Sequence, residues 1–129
     1  MSRIVDPLEA SKAWRRAGTA GPPADLYETA DAIVIRLAVP GVEGSTLTLT
    51  IGEDALVISG ESAPPGTDWG ERTVVHWQEI PYGRFQRRIP LPAAVDAGTS
   101  RARFRSGILE VTLAKSRGTG TRTIPITFA

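Results

Sequence analysis

The stretch Thr46-Leu47-Thr48-Leu49-Thr50-Ile51 alternates hydroxyl and aliphatic side chains residue by residue. A period of two puts the aliphatics on one side of an extended strand and the threonines on the other. In a helix the same pattern would spread apolar groups around the whole circumference, so this segment buries a face only as part of a sheet. Ala32 to Val39 repeats the alternation with Ile33, Ile35, Leu37 and Val39 on one side, and Pro40-Gly41 ends it because proline cannot donate to a ladder. Gly52-Glu53-Asp54 reads as a hairpin connection to a strand over Ala55 to Ser59, with Gly52 free to take positive φ and the three strands read as neighbours in sequence and in space.

Further on, Arg84 to Leu91 alternates with Phe85, Arg87, Ile89 and Leu91 on one face, and Gly107 separates a strand over Ala102 to Arg105 from one over Ile108 to Leu113. Between these groups, Ser62 to Gly70 is turn-forming around Pro64-Pro65-Gly66, and Thr73 to Trp77 reads as a small edge strand in a long loop. Thirteen glycines and ten prolines fall between the β-branched runs, more than helices tolerate. The pattern predicts an all-β, immunoglobulin-like β-sandwich of roughly seven or eight antiparallel strands.

With 129 residues the chain has room for one such domain, expected over residues 25 to 115. Residues 1 to 24 form an N-terminal arm: Leu8 to Trp14 is weakly amphipathic and predicts a short helix, and Gly18 to Pro23 predicts a linker outside the core. In the C-terminal tail, residues 116 to 129, the run from Ser116 to Arg122 has nothing to bury and is expected to be mobile. It leads into Thr123-Ile124-Pro125-Ile126-Thr127-Phe128, an apolar patch whose position at the end of a tether calls for a binding site elsewhere.

Composition removes several function classes. Fifteen basic against fourteen acidic residues give a net charge of +1, without the basic excess of a nucleic-acid binder. No cysteine is present, which excludes disulfides and thiolate chemistry, and a single histidine, His76, cannot build a His-rich metal site. His76 lacks a nucleophile elbow, and the neighbouring Asp68, Glu71 and Glu79 lack metal-ligand spacing, so no enzyme, cofactor or metal is expected. No run approaches the ~20 apolar residues of a membrane span, and the acids and proline of the first residues do not fit a signal peptide, so a cytoplasmic protein without a membrane partner is expected.

Several motifs, in order, resemble the small heat shock proteins of the bacterial type, whose common unit is the α-crystallin domain. They are Leu37-Ala38-Val39-Pro40-Gly41-Val42, Ala55-Leu56-Val57-Ile58-Ser59-Gly60-Glu61, and Tyr82-Gly83-Arg84-Phe85-Gln86-Arg87-Arg88-Ile89-Pro90-Leu91-Pro92. Ala102-Arg103-Phe104-Arg105-Ser106-Gly107-Ile108-Leu109-Glu110-Val111 resembles the signature stretch, with Ser106 where asparagine is common, and Ile124-Pro125-Ile126 matches the Ile-x-Ile tail motif. Leu113-Ala114-Lys115 departs from the pattern by lacking a proline before the lysine.

The resemblance implies an ATP-independent holdase that binds partly unfolded proteins, and a homodimer that assembles further. It implies that Ile124, Pro125 and Ile126 dock at an exposed sheet edge of a neighbouring dimer, in a groove lined by Leu47, Leu49, Ile51, Ala102 and Phe104. It also implies a dimer interface at Arg87, Trp69, Trp77 and Glu79, and client contact through Leu8 and Trp14 in the arm. Plainer readings stand beside these: Arg87 as a solvated strand arginine, Trp69 and Trp77 as a cover on one end of the sandwich, Leu8 and Trp14 as packing inside an oligomer. A different function, a co-chaperone-like module binding one defined folded partner, would use the same sandwich.

Overall fold

The computed structural model describes residues 21–52, 54–63, 69, 72–116 and 122–128. They form β1 (Ala24–Glu28), β2 (Ala32–Ala38), β3 (Thr48–Ile51), β4 (Ala55–Ser62), β5 (Gly83–Pro90), β6 (Val95–Arg105), β7 (Ile108–Lys115), β8 (Arg122–Thr123) and β9 (Ile126–Phe128). One short 3-10 turn, Gly44–Thr46, precedes β3. The strands make two sheets, a five-stranded one in the order β1-β2-β7-β6-β9 and a four-stranded one in the order β5-β4-β3-β8. The neighbouring pairs are antiparallel except β6–β9, which is parallel. The expected all-β sandwich is the observed one.

The alternation read from the sequence is what holds the sheets together. Ile33, Ile35 and Leu37 of β2 and Leu109, Val111 and Leu113 of β7 are fully buried, as are Leu49 of β3 and Leu56 and Ile58 of β4 from the opposite sheet. The intervening Arg36 and Thr48 face solvent. Each buried aliphatic contributes about 1.5–3 kcal/mol from the area it removes from water. Across the outer faces, Arg36–Glu110 at 3.4 Å and Arg88–Asp54 at 3.2 Å are exposed ion pairs that add little.

Two tight turns fix the connections. Val39-Pro40-Gly41-Val42 closes with the Val42 amide donating to the Val39 carbonyl at 3.2 Å and Gly41 at φ +78, the arrangement of a type II turn with proline in its second position. Ser106 and Gly107 join β6 to β7 at φ +53 and +76, as a two-residue type I′ hairpin requires. A Cβ on Gly107 would lie 3.1 Å from the Pro40 Cα, and the Gly107 carbonyl accepts a hydrogen bond from the Val39 amide at 2.7 Å. Glycine is therefore required there both for conformation and for room.

The structure departs from the sequence expectations at several places. β3 and β4 form the expected hairpin, but β2 lies in the opposite sheet beside β1 and β7, because the turn at Pro40-Gly41 carries the chain across the sandwich. Gly52 does not use positive φ; its amide donates to the Ala55 carbonyl at 2.9 Å from an ordinary conformation. β3 starts two residues later than the alternation, since Thr46 closes the 3-10 turn by donating through its hydroxyl to the Glu43 carbonyl at 2.6 Å.

Among the described residues Thr73 to Trp77 is not a strand, and Val74, Val75 and Trp77 are exposed. β6 begins earlier than expected, because a bulge between Asp96 and Arg101 lets turn-type residues run on within one strand. The arm's last residues belong to the fold: Pro22 is fully buried and the Pro23 carbonyl accepts from the Ala38 amide at 3.0 Å. Leu8, Trp14 and the predicted helix around them lie outside the described residues.

Because the β6–β7 hairpin needs positive φ twice, Ser106→Asn is expected to raise stability by roughly half a kcal/mol, since asparagine tolerates that region better. Gly107→Ala is expected to lower it by about 1–2 kcal/mol. Urea unfolding midpoints of both variants against the parent chain measure the two shifts.

Candidate functional site: a groove closed by the C-terminal strands

Without the last residues of the chain, β3 would be an edge of one sheet and β6 an edge of the other. An exposed edge presents unpaired N–H and C=O groups and is a ready template for another extended segment. Here the tail occupies both. β8 pairs antiparallel with β3, matching Thr50 to Thr123 and Ile51 to Arg122, and the Ile124 amide donates to the Leu49 carbonyl at 3.1 Å. The chain then passes Pro125 and, as β9, pairs with β6 in parallel, matching Ala102 to Ile126, Arg103 to Thr127 and Phe104 to Phe128.

The two aliphatics of Ile124-Pro125-Ile126 take different depths. Ile124 is 2% exposed and belongs to the main core, whereas Ile126 is half-buried against it and Pro125 faces solvent. Proline suits this position: it has no amide to leave unpaired while the strand changes sheets, and its fixed φ keeps the segment extended. The expected lining residues Leu47, Leu49, Ile51 and Ala102 are buried and Phe104 is half-buried, and all five belong to the same core cluster or pack on it. In this single chain the tail lies in its own domain's groove.

A second apolar surface lies in the segment between β4 and β5. Trp69 is 68% exposed and Trp77 83%, with Val74, Val75 and Ile80 also exposed and Glu79 open to solvent. A monomer rarely leaves so many large apolar groups together in water. The outer edge of β1 likewise has no strand partner among the described residues, with Leu26 and Tyr27 exposed on it. There the Tyr27 hydroxyl donates to Asp25 Oδ2 at 3.1 Å, and this bond, with the carboxylate charge, holds the phenol above its usual range.

Arg87 is not joined to these tryptophans. It shares the inward face of β5 with Phe85 and Ile89, is half-buried, and donates from an Nη to the Pro22 carbonyl at 2.7 Å while its aliphatic stem packs over Gly21. Sequence reasoning did not single out Phe128, which the register brings against Phe104, nor Gly44, over which its ring lies. Two-residue spacing from Ile126 is the signal that points to Phe128; nothing in the sequence points to Gly44. Among the described residues, no cluster of three or more acidic, histidine or cysteine side chains is placed to hold a metal ion, and no helix is long and apolar enough to cross a membrane.

The family model described as the Hsp20/alpha crystallin family matches residues 25–127. Heat shock protein 16 of Schizosaccharomyces pombe is 32% identical over 98 residues, covering 76% of this chain and 68% of that protein. Small heat shock protein C2 of Rickettsia felis is 30% identical over 105 residues, covering 81% of this chain and 67% of that protein. This chain thus spans about two thirds of the length of both relatives. Among solved structures, that of heat shock protein 16.0 from Schizosaccharomyces pombe superposes with a TM-score of 0.68 at 30% identity, covering 83% of this chain and 98% of that one. A small heat-shock protein from Xylella fastidiosa, described as having a distinct high order structure, gives a TM-score of 0.60 at 28% identity over 81% of this chain and 94% of its own.

The depths of the two isoleucines set an order of importance. Ile124→Ala is expected to accelerate amide exchange across residues 122–128 by roughly thirtyfold or more, the loss that follows from emptying a core site. Ile126→Ala is expected to have a smaller effect. Hydrogen exchange resolved by mass spectrometry measures both, with β2 and β7 as internal references for the fold.

Proposed function

This chain belongs to the Hsp20/alpha crystallin family, and we propose that it is an ATP-independent holdase chaperone that binds partly unfolded proteins at apolar surface and keeps them from aggregating. The observation that carries this reading is the groove between β3 and β6, an apolar sheet-edge site covered by the short C-terminal segment of the chain. Aggregation-prone chains expose apolar segments and unpaired strand edges, and an opened groove offers complementary groups to both. Binding lowers the concentration of the aggregating species by mass action, which needs no chemical step and no nucleotide. Undocking of the tail uncovers the groove, so heat raises activity by shifting that equilibrium. Leu8 and Trp14 of the arm supply further client contact in this proposal.

The same chain is proposed to form a homodimer that assembles into larger homo-oligomers. Thr73 to Trp77 would add as a strand to the free β1 edge of a second copy, an exchange that by two-fold symmetry covers both loops at once. Exposed Val74, Val75 and Trp77 on one side and Leu26 and Tyr27 on the other support it. Trp69, Glu79 and Arg87 then border the interface. Exchange of Ile124-Pro125-Ile126 between the grooves of neighbouring copies would link dimers.

Light scattering of an unrelated heat-aggregating protein, at near-stoichiometric ratio and without ATP, is expected to be suppressed by this chain. Scattering that rises unchanged, from a sample in which this protein is monomeric, would contradict the holdase reading. Val75→Pro, which removes a ladder donor, is expected to shift the mass measured by size-exclusion with light scattering to that of the monomer while leaving the sandwich folded.

A further inference from the structure

The groove has a third position beyond the two filled by isoleucine. Phe128 follows Ile126 by two residues on β9, and the parallel register sets it opposite Phe104. The two rings meet edge to face, with centroids 6.1 Å apart and planes at 83°. On its other side the Phe128 ring lies over Gly44, the first residue of the 3-10 turn: a Cβ built on Gly44 would stand 2.8 Å from Phe128 Cε1 and 3.4 Å from Cδ1. Gly44 does not occupy the left-handed region, so the backbone does not demand glycine there. What the missing side chain provides is the space the ring fills.

We propose that Gly44 and Phe104 form a third subsite of the tail groove, selective for an aromatic side chain two residues beyond the second isoleucine. The occupant is this chain's own segment Ile124-Pro125-Ile126-Thr127-Phe128, and the groove's ligand class is an extended segment with aliphatic, aliphatic and aromatic residues at alternate positions. The ring remains 55% exposed, so the subsite is an open shelf and not a closed pocket. Its contribution comes from the edge-to-face contact with Phe104 and from the ring atoms around Cε1 packed against Gly44. An aromatic at this end also fixes register, because a shift of β9 by one residue would turn Phe128 away from the shelf.

This inference rests on the tail being docked as described and deepens the proposed regulation of the groove. Its test reads docking alone, so it stands or falls separately from holdase activity. In the full-length chain, amide exchange over residues 122–128 is measured for the parent, Gly44→Ala, Phe128→Ala and the double variant, with β2 and β7 as references. Phe128→Ala and Gly44→Ala are each expected to speed tail exchange by roughly three- to tenfold. In the Phe128→Ala background, Gly44→Ala is expected to add nothing, because the methyl group then meets no ring. Phe128→Leu, which keeps bulk but loses the aromatic edge, is expected to fall between the parent and Phe128→Ala. Equal effects of Gly44→Ala in both backgrounds would mean general destabilisation and would overturn the proposal, as would tail exchange unchanged in either single variant.

Discussion

Ile124 ties the last segment of the chain to everything before it. Its amide bonds to Leu49 in one sheet, its side chain enters the shared core, and two residues later the same segment is paired to β6 in the other sheet. A sandwich of two twisted sheets has edges that either stay open to water and to other chains or are covered. Here one covalent segment covers an edge from each sheet at the same opening. Removing it would leave both ladders unpaired and apolar side chains behind them uncovered, so the stability of the closed form and the reactivity of the open form derive from the same few contacts.

That coupling explains the uneven depth of the tail residues. A segment buried throughout would be part of the domain and would rarely leave; one buried nowhere would not stay. The core-buried Ile124, half-buried Ile126 and half-exposed Phe128 grade from anchor to rim. Such a gradient suits local opening, in which a peripheral element detaches at a free energy well below that of global unfolding. The exposed tryptophans and valines between β4 and β5 and the outer edge of β1 make a second apolar surface, which the proposed second copy of the chain would cover without competing for the groove.

Much of this was legible in the residues, for physical reasons that differ by element. Alternation in Ala32–Val39 and Thr46–Ile51 assigned the inward faces correctly because one face of each strand is buried and a one-residue slip would expose it all. Local pattern does not carry sheet membership: nothing in the periodicity of β2 says whether Pro40-Gly41 returns the chain to the same sheet or crosses to the other. The first half of β6, before Ala102, is hidden because Asp96, Gly98 and Ser100 favour turns in isolation, while a bulge and the pairing with β7 hold them in the strand. At the site, apolar spacing marks Ile124 and Ile126 and only the resemblance points to the groove residues, whereas the Gly44 shelf depends on a void between distant segments, which no local pattern records.

Whether tail release governs access to the groove is decided most directly by following the Ile124 amide and client capture together during heating. The exchange rate of that amide, which bonds to Leu49, would be recorded over a temperature series in which suppression of aggregation is scored on the same samples. Exchange and suppression rising over the same interval is the result expected here. Suppression that reaches its full extent while the Ile124 amide remains as protected as at low temperature would contradict it, and would move client binding to surfaces that the tail does not cover.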